Sequence, residues 1–256
     1  MTTVRFLFTR RWLLFLAAVA VLAYGCLWLG EWQFGRLHDR EDRNTHARRN
    51  LAMEPVPVDQ VMSADDNVGK AQEWSRVRFI GTYAPDDTVV VRYQTRDGVA
   101  GVDIVTPLRL ADGTGVLVDR GWLRTENIGG AVDDPPTPPA GEVTVVGWVR
   151  PDASGDSTDV SEGSVRAISS RAIGEELDYP LLRGFVDAQS ETPAPEQELV
   201  PAEQPDLSNG PHFFYGLQWW FFGALALFGF GYLAYDERRK AREHPAAKTD
   251  SPAQGS

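Results

Sequence analysis

Of the four histidines in the chain, His38, His46, His212 and His244, His212 has the surroundings best suited to chemistry. It opens an uncharged, aromatic-rich run and stands one helical turn before Tyr215 and two before Trp219. A neutral imidazole there could ligate a haem iron while the aromatic side chains flank a porphyrin face. It could also hydrogen-bond lipid headgroups or cap its helix, the plainer role that residue statistics favour. A second group, Trp32, Gln33 and Arg36, falls within one helical turn just past an earlier apolar run. Trp32 can sit at headgroup depth while Arg36 meets a phosphate or a carboxylate, and simple interfacial anchoring is the rival reading. The third group is Asp119-Arg120-Gly121-Trp122, where two charges follow the apolar Val116 and Val118 at the end of a strand pattern. A structural ion pair or turn brace is favoured there over a catalytic pair. His38 and His46 sit in a charged stretch and are read as solvated, and His244 as a bystander in a polar tail.

Other chemistries are excluded. Cys26 is the only cysteine and lies inside an apolar run, so an intrachain disulfide, thiol redox chemistry and cysteine-ligated metal sites are ruled out. Read as a small hydrophobe, it needs no lipid attachment, since Tyr24 is bulky where a lipoprotein signal wants a small residue. Phosphate loops, dinucleotide fingerprints, zinc hydrolase motifs and serine nucleophile elbows are missing from the sequence. With 36 acidic against 25 basic residues, and the excess lying between the two apolar runs, the chain has no basic face for nucleic acid.

Two uncharged runs must position these residues. Trp12 to Leu29 and Phe213 to Tyr235 are each long enough, at ~1.5 Å rise per residue, to cross a bilayer as a helix. Arg5, Arg10 and Arg11 precede the first, and Arg238, Arg239, Lys240 and Arg242 follow the second, which keeps both ends cytoplasmic and exports the middle. Trp28, Trp32, Tyr215, Trp219 and Trp220 then form aromatic belts at the outer surface. Glu31 to Ala52 is charged and reads as a helix rising from the membrane until Pro55 and Pro57 end it. A short helix is expected near Val58 to Ser63. Beyond Trp74 the apolar period becomes two, through Val77 and Phe79, then Val89, Val91 and Tyr93, then Val102 and Ile104. Asp97-Gly98 and Asp112-Gly113 make Thr88 to Leu123 a three-strand meander with two hairpins. Asn127 to Gly141 is a proline-rich surface loop. Val143, Val145 and Trp148 mark another strand, Ala172 to Leu177 a short helix and Leu181 to Val186 a last strand.

The expected fold is therefore an α+β membrane protein, a two-helix transmembrane hairpin carrying a mainly β exported domain, either a sandwich or a small barrel. Its parts are a cytoplasmic N-terminus (1–11), a first span (12–29), a juxtamembrane helix (30–52), the exported β-rich domain (53–190), an acidic proline-rich tether (191–211), a second span (212–235) and a cytoplasmic tail (236–256).

Three blocks carry a resemblance. Leu29-Gly30-Glu31-Trp32-Gln33-Phe34-Gly35-Arg36 reads L-G-x-W-Q-x-x-R. Val105-Thr106-Pro107-Leu108 leads through Asp112-Gly113 to Val118-Asp119-Arg120-Gly121-Trp122. His212-x-x-Tyr215-x-x-x-Trp219 enters the second run. In order and in two-span topology the chain resembles the surfeit locus protein 1 family, biogenesis factors of haem-copper cytochrome c oxidase, over nearly its whole length. Arg40 departs from the family pattern, which places lysine there, and the proline-rich loop and acidic tether are local elaborations. The resemblance implies a non-enzymatic assembly factor in the cell membrane that assists haem a delivery to, or maturation of, the large oxidase subunit. His212, Tyr215 and Trp219 would be the cofactor-binding residues, and Trp32, Gln33, Arg36, Asp119, Arg120 and Trp122 a partner surface. The partners would be that subunit or its assembly intermediates, with the haem a synthesis machinery as a further one. Two alternatives remain open. One is a structural docking partner of the oxidase or a respiratory supercomplex that never touches haem, and the other is a membrane-anchored exported enzyme.

Overall fold

The computed structural model describes residues 5–126, 132 and 134–243, so His244, the extreme termini and much of the loop's first half lie outside the described residues. Within that range the chain forms two compact units. One takes the chain up to Glu41 and again from Ser208, and the other runs from Asp42 to Leu207. The protein is α+β, with a mixed β-sheet and two helices long and apolar enough to cross a membrane.

The first unit is built on helices α1 (Arg10–Leu51) and α3 (His212–Glu243). α1 runs without a break through the expected first span and the charged stretch after it, because neither glycine nor proline interrupts it enough to stop the ladder. Small residues line its contact with α3. Ala23 and Cys26 are buried, and a Cβ added to Gly223 would lie 3.2 Å from the Cβ of Cys26. Toward the chain ends, Trp12 and Phe15 pack on Phe230, with ring centroids 5.7 and 5.4 Å away.

The second unit is a sheet of strands β1 (Val56–Pro57), β2 (Arg76–Tyr83), β3 (Val89–Arg96), β4 (Val99–Arg109), β5 (Gly115–Arg124), β6 (Glu142–Arg150), β7 (Ser164–Val165) and β8 (Leu181–Thr192), with the short helix α2 (Ser170–Gly174). The strand order is β1-β2-β6-β8-β5-β4-β3-β7, and β2 also pairs with β4 through Thr82 with Arg109 and Tyr83 with Leu108. That extra pairing closes β2, β6, β8, β5 and β4 into a ring, from which β3 and β7 extend. Along β2 every second residue is buried, as the period of two requires. Val77, Phe79, Tyr83, Leu108, Val116, Val118, Val143, Val145 and Val186 form one core, with Val58 and Met62 packed onto it. A second core holds Val89, Val91, Val105, Leu117, Val165 and Ile173. Strand β5 feeds both, Val116 and Val118 to one and Leu117 to the other, so this strand is buried on both faces. The last turns of α1 belong to this unit, where Ala47 and Leu51 meet Trp74, Trp148 and Leu207.

The meander expected over Thr88 to Leu123 is present as β3, β4 and β5. Three elements differ. The short helix sits at Ser170–Gly174 rather than Ala172 to Leu177, because Ser169 caps it by accepting from the Ala172 N–H. The helix expected near Val58 to Ser63 is a single 3-10 turn, Val58–Gln60. The last strand continues to Thr192, six residues beyond the expected end, because it pairs with β6 along its length. The stretch expected as a tether is also partly pinned to the sheet. Val200 exchanges backbone hydrogen bonds with Trp122 at 2.8 and 3.0 Å, and Arg96 donates to the carbonyls of Val200 and Pro201.

Candidate functional site

Helix α3 begins at His212 just after Gly210, whose φ of +64° is a left-handed turn suited to glycine, and Pro211, which fits a first helical turn. Arg40 donates to the Ser208 carbonyl at 2.6 Å, and Asn209 donates to Glu41 at 3.2 Å, so the chain entering α3 is held against α1. Arg40, the departure from the family pattern, thus has a defined job as a clamp.

Two interlocking notches set the helix register. A Cβ on Gly30 would sit 2.3 Å from the Trp220 ring, and one on Gly216 would sit 2.8 Å from the Phe34 ring. Each glycine therefore receives an aromatic ring from the opposite helix, and Phe34 and Trp220 pack with centroids 5.0 Å apart. Gln33 lies one turn beyond Gly30 and His212 one turn before Gly216. The outcome is a hydrogen bond between His212 Nδ1 and Gln33 Oε1 at 2.9 Å, joining residues 179 apart in sequence.

The expected site residues divide accordingly. Gln33 turns to His212. Trp32 and Arg36 instead stack on one another, with the guanidinium 5.5 Å from the ring centroid, a contact worth about 0.5–1 kcal/mol at an exposed position. Tyr215 is exposed, and Trp219 is half-buried and packs edge-on to Phe222 at 6.1 Å. The aromatic rings interleaved between α1 and α3 are thus Phe34 and Trp220, of which sequence reasoning gave Trp220 only a belt role and Phe34 none. Their signal was the i, i+4, i+8 row His212, Gly216, Trp220, together with the glycine of the first block. Phe213 completes the group, 6.3 Å from Phe34. His38 donates through Nδ1 to the Phe34 carbonyl at 2.8 Å, and His46 is exposed.

The Asp119-Arg120-Gly121-Trp122 block lies in the other unit. Asp119 and Arg120 do not pair with each other. The register of β4 and β5 shifts between Ile104 and Val105, which leaves Arg120 as the extra residue of a bulge. Gly121 has φ +131°, and a Cβ there would meet the Val200 carbonyl at 2.6 Å, so only glycine fits. Its N–H donates to Asp119 Oδ1 at 3.0 Å. Arg120 is buried and donates to Glu191 at 3.3 Å and to the carbonyls of Pro136 and Thr137 at 2.6 and 3.4 Å. Tyr83 donates to the same Glu191 carboxylate. Burial and that carboxylate push its hydroxyl well above the ordinary range, so it stays a donor. Trp122 lies over Gly101 and donates through Nε1 to the Gln94 carbonyl at 3.1 Å. The block is a fastening that ties the described end of the proline-rich loop and the segment after β8 to the sheet.

Asp119 also faces a cavity of about 610 Å³ lined by Asp103, Asp187, Arg96 and Arg150. Arg96 pairs with Asp103 at 3.0 Å and Arg150 with Asp187 at 2.9 Å. Burial pushes Asp103 up to about 6 against the pull of Arg96. Burial also raises Asp119, helped by the neighbouring Asp103 and Asp187, and raises Asp187 against the pull of Arg150. Among the described residues no group of three or more His, Cys, Asp or Glu side chains is placed to hold a metal ion.

The amino-acid sequence matches the SURF1 family over residues 20–224. SURF1-like proteins of Mycobacterium bovis and Mycobacterium tuberculosis are 30% identical over 252 residues, covering 96% of this chain and 92% of theirs. A SURF1-like protein of Monosiga brevicollis is 33% identical over 121 residues, 42% of this chain and 43% of its own. With the match running from the first helix through both motif-bearing units and into the second helix, this chain belongs to the SURF1 family.

Proposed function

We propose that the chain is a non-enzymatic assembly factor for haem-copper cytochrome c oxidase, anchored in the cell membrane by α1 and α3 and holding haem a at His212 for delivery to the large subunit. The observation that carries this reading is the meeting of two family blocks, far apart in sequence, in one hydrogen bond between Gln33 and His212. The donor set fits a haem. One imidazole nitrogen is engaged by an amide oxygen and the other remains as a donor atom, and Phe34, Phe213 and Trp220 supply an aromatic wall. When bound, the haem would supply the iron centre that the oxidase requires. The chain's own work would be to hold the haem through His212 and orient it. Tyr215 and Trp219 would contact the porphyrin edge or the receiving subunit.

Basic residues before the first apolar run and after the second support cytoplasmic termini and an exported β unit. Reporter fusions at Gly155 should read outside and those at Thr3 and Pro245 inside. The functional test is replacement of the native gene in a haem a-producing host by His212→Ala. Oxidase isolated from those cells should carry less haem a while the variant accumulates in the membrane normally. Full haem loading of the oxidase would leave docking without haem as the better account.

A further inference from the structure

We infer that Gln33 is a positioning residue that holds His212 in the Nδ1–H tautomer and so makes Nε2 the donor atom of the site. The argument rests on hydrogen-bond chemistry. Gln33 presents its amide oxygen to His212 Nδ1 at 2.9 Å, and an amide oxygen can only accept. With the Gln33 amide turned this way Nδ1 carries the proton, and in a neutral imidazole the lone pair then belongs to Nε2. Free histidine prefers the opposite tautomer, so the chain must supply the bias.

Geometry makes the bias strong. The helix carrying Gln33 is held against α3 by Trp220 over Gly30 and by Phe34 over Gly216, which keeps Gln33 within reach of His212. The Cδ2–Nε2 edge of the ring lies beside Gly210. Gly210 has no side chain, and a Cβ there would lie 3.5 Å from Cδ2 and 3.7 Å from Nε2 of His212. The same point lies 3.8 Å from the Arg40 guanidinium carbon. That edge of the imidazole thus lies next to a glycine, with the Arg40 guanidinium that holds Ser208 nearby. A hydrogen bond to the far nitrogen of a ligating histidine fixes its orientation and raises its basicity, and its loss typically weakens metal binding by about 10- to 100-fold. The tautomer claim stands by itself; the consequence for iron rests on the proposed haem reading.

The test uses the full chain in detergent with ring-15N histidine, and His212 is assigned by its loss in His212→Asn. At a pH where the imidazole is neutral, Nε2 should show the shift of an unprotonated nitrogen and Nδ1 that of a protonated one. Gln33→Leu should reverse or average the two, and Gln33→Glu, which keeps an accepting oxygen, should restore the wild-type pattern. A protonated Nε2 in the wild type, or an unchanged pattern in Gln33→Leu, would overturn the inference, and the wild-type spectrum decides even if a variant fails to fold. In a second arm, titration with ferric protoporphyrin followed at the Soret band should show Gln33→Leu binding about tenfold more weakly than wild type. The expected tautomer without porphyrin binding in any variant would sink the haem reading and leave the role of Gln33 intact.

Discussion

Replacing Arg120 by methionine tests whether the second family block is a fastening. The Arg120 and Glu191 side chains are 1% and 6% exposed, so neither charge can turn to water. Without the guanidinium, Glu191 keeps only the Tyr83 hydroxyl as a side-chain donor, and the carbonyls of Pro136 and Thr137 lose theirs. Removing one partner of a buried pair costs about 3–5 kcal/mol, most of it the cost of the charge left behind. The orphaned carbonyls lie inside that figure, since the losses share one group and do not add. For a protein of this size the cost corresponds to a fall of about 6–20 °C in melting temperature. Glu191→Gln should cost less, because Arg120 retains its two carbonyl acceptors. Arg120→Met combined with Glu191→Gln should be less unstable than Arg120→Met alone, as no orphan charge remains. Thermal unfolding of the purified chain in detergent, followed by near-ultraviolet circular dichroism, gives all four values. A shift under about 2 °C for Arg120→Met, or a double variant worse than the sum of the singles, would refute the fastening.

Three further outcomes are expected. Carboxyls raised by burial bind protons more tightly in the folded state, so the stability that Asp103 contributes is full below pH 3.8 and is lost as pH rises through about 6. Asp119→Asn keeps the acceptor for the Gly121 N–H but removes one of the coupled charges, so it should stabilise at pH 7 and flatten melting temperature against pH between about 4 and 6; an unchanged slope would contradict this. Gly121→Ala meets both a left-handed φ and the Val200 carbonyl, and should lower stability by more than about 1 kcal/mol in the same assay, whereas a neutral effect would mean that β5 does not bulge there. Gly223→Cys places a thiol against Cys26, so mild oxidation followed by proteolysis between the helices should leave the two fragments joined until reduced. Fragments that separate without reductant would show that the helices meet in another register.

Much of the β unit was legible because period-two burial and the Asp97-Gly98 and Asp112-Gly113 turns act over neighbouring residues. Ring closure was not, since alternation says which face a strand buries and nothing about whether β2 reaches β4. The position of His212 at a helix start was readable from the apolar run that follows it, and so was its helical spacing to Tyr215 and Trp219. Its real partner was hidden, because Gln33 lies 179 residues away and the register that brings it near depends on glycine notches at Gly30 and Gly216. Adjacent charges at Asp119 and Arg120 suggested a pair, but a bulge sends one to the Gly121 N–H and the other to Glu191, 71 residues on.

The central claim, that His212 ligates haem a, is most directly tested by the absorption spectrum of the full chain purified in detergent from a haem a-producing cell, beside His212→Ala at matched expression. The account predicts a haem a Soret band in the wild type, a band lost or strongly reduced in His212→Ala, and an intermediate one in Tyr215→Phe. Equal haem content in the wild type and His212→Ala would contradict it.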